Sequence, residues 1–426
     1  MTLREAGFQI FQAAIKAGDV GPLVTGALGS MDLSRYRRIL VVGAGKASGA
    51  MARTLEGVLG DRISAGLVVV KDGYTAPTRK IKLVEAGHPI PDERGLRAAN
   101  EILAVARSAG ADDLVIALIS GGGSALAPCP APPITLEEKQ ALTRLLLVAG
   151  ATINELNAVR KHCSLIKGGR LAQAASPAPV LALILSDVIG DPLDVIASGP
   201  TAPDQTTYAD ALAILDRFGL RAKAPGAVVE HLERGARGEI PENPKADDPV
   251  FRHVQNRVIG GNSLVVEAAV REAEALGLRV SFVTRALRGE AREVAKEFCG
   301  LATSVISPAC LVAGGETTVT VTGNGMGGRC QEFALAAALA IQGMENVVVL
   351  AAGTDGTDGP TNAAGAFADG ETIKRAARRN LDAQASLEAN DSYRFFSELG
   401  DLVVTGPTNT ALLDLYLLLV GPLPSG

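Results

Sequence analysis

Short apolar runs, each closing on a loop of glycine, serine or aspartate, recur along the whole chain. Arg38-Ile39-Leu40-Val41-Val42 runs into Gly43-Ala44-Gly45-Lys46 and a helix from about Ala47. Similar runs at Ala65 to Val70, Leu114 to Ile119 and Val180 to Leu185 read as strands, with helical patterns such as Glu93 to Ala109 between them. Strand alternating with helix at this spacing predicts right-handed βαβ units and a mainly parallel sheet. Ahead of the first strand stands an amphipathic helix with Phe8, Phe11 and Ile15 on one side.

The segment Arg234 to Gln255 carries Glu239-Ile240-Pro241-Glu242-Asn243-Pro244 and few periodic apolar residues, which predicts a boundary between domains at 1–245 and 246–426. The second region is expected to begin with Arg257-Val258-Ile259 and Gly260-Gly261-Asn262. It continues with a helix over Leu264 to Leu276, a strand at Arg279 to Val283 and an alternating strand at Thr317 to Thr322. A glycine-rich turn then precedes an apolar helix from about Gln331. Val347 to Ala352 feeds the oxygen-rich loop Gly353-Thr354-Asp355-Gly356-Thr357-Asp358-Gly359-Pro360-Thr361. The fold class is α/β with a smaller second domain. Ligands of open parallel sheets bind beyond the carboxyl ends of strands, where these loops lie, so the loops can converge between the domains.

A length of 426 residues exceeds what one core usually serves, which supports two domains. Aromatics are only 4% and Trp is absent, against 48 glycines, a mixture that favours Ala/Val/Leu layers over an aromatic-rich sandwich. The formal charge of -5 offers no basic field for a nucleic-acid backbone. Five scattered cysteines without a C-x-x-C pair imply a reduced chain and no structural zinc site. The first helix lacks the continuous apolar stretch of a signal peptide, and no apolar run approaches the ~20 residues that cross a bilayer. A cytoplasmic protein without membrane contact is expected.

The loops carry the candidate chemistry. Gly43-Ala44-Gly45-Lys46-Ala47-Ser48-Gly49 resembles a dinucleotide fingerprint with its third glycine one place late, and Asp72 follows as a candidate ribose-binding acid. A lysine inside an anion-binding turn at a helix start suits phosphate better than nicotinamide. Ser120-Gly121-Gly122-Gly123-Ser124 can form a nest of backbone N–H donors flanked by two hydroxyls. Asp187, at a strand end, is a candidate ligand for a hard cation such as Mg²⁺. Glu316 follows Gly314-Gly315, and Arg329 follows Gly327-Gly328 at a helix start, where a guanidinium can pair with carboxylate or phosphate. Asn157 to His162 and Lys167 to Arg170 form a basic helical patch, partly a solvated face, in which Arg160 and Lys161 could steer anions. The four histidines form no ligand pattern.

Together these stretches resemble the class II glycerate kinases, the glycerate 2-kinase family with a C-terminal MOFRL domain. The matching segments are Val42 to Ala47, Ser120 to Leu126, Asn157 to Leu171, Leu185 to Thr201, Gly260 to Asn262, Gly314 to Thr317, Gly327 to Phe333 and Ala352 to Thr361. The resemblance implies a Rossmann-like first domain, a smaller α/β second domain and an active site in the cleft between them. It also implies phosphorylation of D-glycerate to 2-phosphoglycerate by ATP with Mg²⁺ or another divalent cation. On this basis Lys46, Arg329 and Asp355 are the catalytic candidates. Gly43, Gly45, Ser120, Gly121, Gly122, Gly123, Ser124 and Asn262 are the nucleotide or phosphate candidates, and Asp187, Asp355 and Glu316 the metal candidates. Relatives are often labelled hydroxypyruvate reductase, so an NAD(P)H-dependent reductase using Gly43, Gly45 and Asp72 is the alternative. The expected partner is a small-molecule substrate, and a homodimer is left open.

Overall fold

The structure is a computed structural model that describes residues 1–29 and 31–423. Its strands are β1 (Ile39–Ala44), β2 (Ile63–Lys71), β3 (Ile81–Ala86), β4 (Leu114–Ile119), β5 (Val180–Leu185) and β6 (Val254–Gly260). They continue with β7 (Arg279–Glu290), β8 (Ala309–Thr318), β9 (Val347–Gly353), β10 (Gly365–Asp369), β11 (Leu402–Val403) and β12 (Asp414–Val420). The uninterrupted apolar runs became β1, β4, β5 and β9, each buried almost throughout, as expected for strands covered on both faces.

The first sheet has the order β3-β2-β1-β4-β5-β6. β1 pairs in parallel with both β2 and β4, and β2–β3 and β4–β5 are parallel as well. This is the Rossmann order. The chain leaves β1 in one direction for β2 and β3, then returns to β4 on the other side, so a crevice opens beyond the carboxyl ends of β1 and β4. The second sheet has the order β11-β10-β9-β12-β8-β7. β12 is antiparallel to both β8 and β9, which therefore point the same way, while β7 and β8 are parallel. The helix Arg329–Ala340 is buried nearly all round, and Phe333 meets Tyr416 of β12 with ring centroids 4.6 Å apart.

The chain divides into a larger unit, Val20–Ser186 with Asp191–Ile259, and a smaller one, Met1–Asp19 with Asp187–Gly190 and the chain from Gly260 onward. This differs from a boundary at 245/246 in two respects. β6, expected to open the second region, lies at the edge of the first sheet beside β5. The first helix, Leu3–Ala17, belongs to the smaller unit: it buries Ala6, Ile10, Phe11 and Ala14 and packs along the helix Asn262–Ala275. Arg4 fixes its position with ion pairs to Asp369 and Asp401, both 2.6 Å. The alternating stretch Thr317 to Thr322 also departs from expectation, since only its first two residues belong to β8. Beyond them the N–H groups of Thr320 and Thr322 are taken by the Glu290 and Asn390 side chains, both at 2.8 Å, so no ladder forms. Among the described residues no helix is long and apolar enough to cross a membrane.

Candidate active site

In the larger unit the turns after β1 and β4 interlock. Lys46 N–H donates to the Gly121 carbonyl at 2.9 Å, and Ser120 N–H to the Ala44 carbonyl at 3.2 Å. Ser120 Oγ accepts from Ala47 N–H at 3.0 Å and lies 3.1 Å from Ser48 Oγ. A Cβ on Gly45 would overlap that oxygen, so glycine is required there by the close approach. Gly122 has φ +84°, the left-handed region that favours glycine, and heads the short helix Gly123–Leu126. Beside it stand two further groups: a Cβ at Gly122 would lie 3.1 Å from the His88 ring and 3.4 Å from Lys46 Cγ. Lys46 and His88, both half-buried, thus border the same glycine at the switch point of the sheet.

Ser124 is the hub of a second layer. Its Oγ accepts from Arg160 Nη2 at 2.7 Å and Lys167 Nζ at 2.9 Å, and Lys167 also donates to the Ser124 carbonyl at 2.9 Å. Ser124 and Ser198 hydroxyls are 2.7 Å apart, and Ser198 Oγ donates to Asn157 Oδ1 at 3.1 Å. Because two N–H donors fill the lone pairs of Ser124 and the Ser198 proton is committed, the Ser124 proton points at Ser198. Lys167 is 1% and Lys139 3% exposed. Burial, with repulsion from Arg160 and Lys139, holds the Lys167 pKa well below that of a free lysine. Burial and Arg160 bring Lys139 down to about 7, and burial alone brings Arg160 down to about 10.

The smaller unit builds a different site at the carboxyl ends of β8 and β9. Arg329 grips buried Asp414 through Nε at 2.6 Å and Nη2 at 3.1 Å, and Glu316 through Nη1 at 2.5 Å. Burial lowers the guanidinium pKa, but the Asp414 charge outweighs it and the net shift is upward. Asp358 caps the helix Arg329–Ala340, accepting from Cys330 N–H at 3.1 Å and Gln331 N–H at 2.8 Å. Its complete burial, reinforced by Asp414, pushes its carboxyl up to about 7. Asp355 Oδ1 accepts from Thr357 N–H at 3.0 Å and Oγ1 at 3.1 Å, closing a turn just past β9.

Residues 7–233 match a domain of unknown function, DUF4147, and residues 309–414 match the MOFRL family. A glycerate 2-kinase of Pyrococcus horikoshii is 41% identical, over 99% of this chain and 98% of its own. A D-glycerate 2-kinase of Thermotoga maritima is 40% identical over 98% and 99%. The chain belongs to the MOFRL-type glycerate kinase family. A crystal structure of the Thermotoga maritima glycerate kinase superposes with a TM-score of 0.88 at 40% identity, covering 98% of this chain and 99% of that one. A putative hydroxypyruvate reductase of Agrobacterium vitis is 41% identical over 99% of this chain and 95% of its own.

Within this family frame several expected ligand residues turn out to have structural work. Ser120 is fully buried and ties the two turns together. Gly43 lies in β1, where a Cβ would overlap the Leu118 carbonyl of β4. Asn262 is 4% exposed, donates to the Leu412 carbonyl at 3.1 Å, and packs its Oδ1 against Gly314. Lys161 is not on a solvated face: it is 2% exposed and lies between Asp194 at 3.3 Å and Asp204 at 3.4 Å. Asp72, the ribose acid of the reductase alternative, is held bidentately by Arg94 at 2.7 and 2.8 Å. Lys139 and His88 belong to no motif of the sequence, whereas Asn157 and Lys167 fall in the expected basic patch and Ser198 in the matching segment Leu185 to Thr201. Lys139 had a signal, because it shares helical spacing with buried Leu142 and Leu146.

Among the described residues no group of three or more His, Cys, Asp or Glu side chains is arranged to hold a metal ion. Of the three metal candidates, Glu316 is committed to Arg329. The carboxylates of Asp355 and Asp187 are hard oxygen donors of the kind that, one or two at a time, complete a Mg²⁺ shell with phosphate and water.

Proposed function

We propose that the chain is an ATP-dependent glycerate 2-kinase, a cytoplasmic phosphotransferase that converts D-glycerate to 2-phosphoglycerate. The observation that carries the reading is Lys46, a cation set against left-handed Gly122 at the switch point of a 3-2-1-4-5-6 sheet. Membership of the glycerate kinase family supports it along the entire chain.

Phosphoryl transfer asks chiefly for positioning and charge neutralisation. The glycerate 2-hydroxyl attacks the γ-phosphorus, its P–O bond forms as the bond to ADP breaks, and Asp355 takes the hydroxyl proton. Lys46 and the backbone N–H groups of the Gly122 to Ser124 turn stabilise charge on the migrating group. Arg329, its planar guanidinium oriented by Asp414, offers its remaining surface to the substrate carboxylate. A divalent cation such as Mg²⁺ would be held by Asp187 and Asp355, and would supply further neutralisation of the phosphate oxygens.

Asp72, the ribose acid of the reductase alternative, lies in an exposed ion pair with Arg94. Incubation with D-glycerate, ATP and Mg²⁺, followed by phosphorus NMR, is expected to show the 2-phosphoglycerate resonance with stoichiometric ADP. Oxidation of NAD(P)H by hydroxypyruvate without ADP formation would reverse the assignment.

A further inference from the structure

Three cations inside the larger unit have no carboxylate among them. Arg160 and Lys167 converge on Ser124, and Lys139 stands close enough to repel both. Lys161 is an internal comparison, since the same helix Ile153–His162 carries it and Arg160. Lys161 is as buried as Lys167, yet it has Asp194 and Asp204 as partners. Arg160 Nε, by contrast, is buried with no hydrogen-bond partner. Ion-pairing one buried lysine while leaving three neighbouring cations uncompensated would be costly in a purely structural cluster. Held fully charged, the cluster would cost several kcal/mol, a cost its lysines escape by giving up protons. The cost is offset if an anion enters. Ser124 and Arg160 are the two members that are only half-buried.

We propose that Lys139, Arg160 and Lys167, with the Ser124 hydroxyl, form a binding site for a phosphomonoester dianion. A carboxylate would cancel one positive charge, whereas a dianionic phosphate cancels two and offers enough acceptors for Arg160, Lys167 and Lys139 at once. Free phosphate and the phosphoryl group of 2-phosphoglycerate share this chemistry. The proposal deepens the kinase reading by naming where the dianion sits, and rests on that reading for the physiological ligand. The titratable groups against the cluster are Lys139, Lys167, Cys163 and Cys129. Burial pushes the two thiols up to about 12 and 11, so neither titrates near neutrality, whereas Lys139 does, at about 7. An entering dianion would recharge them.

The test is isothermal titration of the full chain with inorganic phosphate, 2-phosphoglycerate and D-glycerate, at pH 8 in buffers of different ionisation enthalpy. Wild type should bind both phosphates with net proton uptake and bind glycerate more weakly. Lys139→Met should weaken phosphate about 10- to 100-fold and reduce the uptake. Lys167→Met should do the same, and the exposed control Lys296→Met should change nothing. Equal phosphate affinity in wild type and Lys139→Met would overturn the site, as would glycerate losing as much affinity as phosphate in that variant. If Lys167→Met does not fold, Lys139→Met decides alone. ADP formation is scored separately: turnover with unaltered phosphate binding in Lys139→Met ends this proposal but leaves the kinase. Binding lost in that variant, with no turnover in wild type, does the reverse.

Discussion

The two units hold their cations in opposite ways. In the smaller unit Arg329 is neutralised by Asp414 and Glu316, so its position is set by the protein itself. In the larger unit Arg160 and Lys167 meet on one serine hydroxyl with buried Lys139 within electrostatic reach, and among the described residues no carboxylate pairs with the three. The difference separates two kinds of charge. A paired arginine is a rigid tool whose orientation is already fixed before substrate arrives. A group of like charges inside a protein is an incomplete site, stable only because its lysines give up protons until an anion comes.

The contrast can be broken most forcefully through activity. Lys46→Ala should lower kcat by about 10²- to 10⁴-fold with an unchanged melting temperature, since its half-buried side chain stands in the crevice and not in the core. Near-normal turnover in that variant would remove Lys46 from the chemistry. Next in size, Arg329→Gln should cost about 2–4 kcal/mol in urea unfolding, because it strands Asp414 in the interior. The lower part of the buried-pair range applies, as the arginine is itself 36% exposed. Lys139→Met should cost nothing or stabilise the protein, and a loss as large as that for Arg329→Gln would erase the distinction between the units.

A pH titration sharpens the same point. The Lys139 folded pKa of about 7 lies below the 10.5 of an ordinary lysine, so between those values the unfolded chain binds the extra proton. Stability without anion should therefore rise with pH across that window, by up to about 1.4 kcal/mol per pH unit for one group. Lys139→Met or saturating phosphate should flatten the rise. Glu242 has the opposite origin. Burial raises it, but hydrogen bonds from His162 and from the Tyr208 and Asn243 N–H groups hold it at about 2. Its contribution is present above pH 4.5 and fades as pH falls toward 2, which acid unfolding of Glu242→Gln would show as a shallower loss. The smallest expected effect is that of Asp72→Asn. It breaks an exposed pair with Arg94 and should shift stability by less than about 1 kcal/mol and leave ADP formation untouched.

Much of this was legible in the residues. Continuous apolar runs gave strands because parallel sheets bury both faces, and a lysine within a glycine turn marked the crevice before any topology was known. What escaped depended on contacts between distant segments. Lys167 reads as the end of a basic surface patch, yet the turn through Gly168 and Gly169, with φ +57° and +80°, accompanies a side chain buried against Ser124. Asp414 lies in a run of leucines with nothing to mark it as the partner of Arg329. Ser120 and Asn262 match a ligand-binding pattern by residue type, and only the approach of a neighbouring strand or turn reveals that they hold the scaffold. The resemblance implies a Rossmann-like first domain, whereas the strand order and β6 at the edge of the sheet come only from the structure.

The helix Leu3–Ala17 packs in the unit whose central strand, β12, lies at the far end of the sequence. During synthesis it emerges before every strand of the sheet that shelters Ile10 and Phe11, and it must keep that greasy stripe from wrong partners until β12 has left the ribosome. Segments from before β1 and after β11 are thereby joined in one unit. Trimming the leading helix would therefore be felt first around Asp369 and Asp401, hundreds of residues downstream.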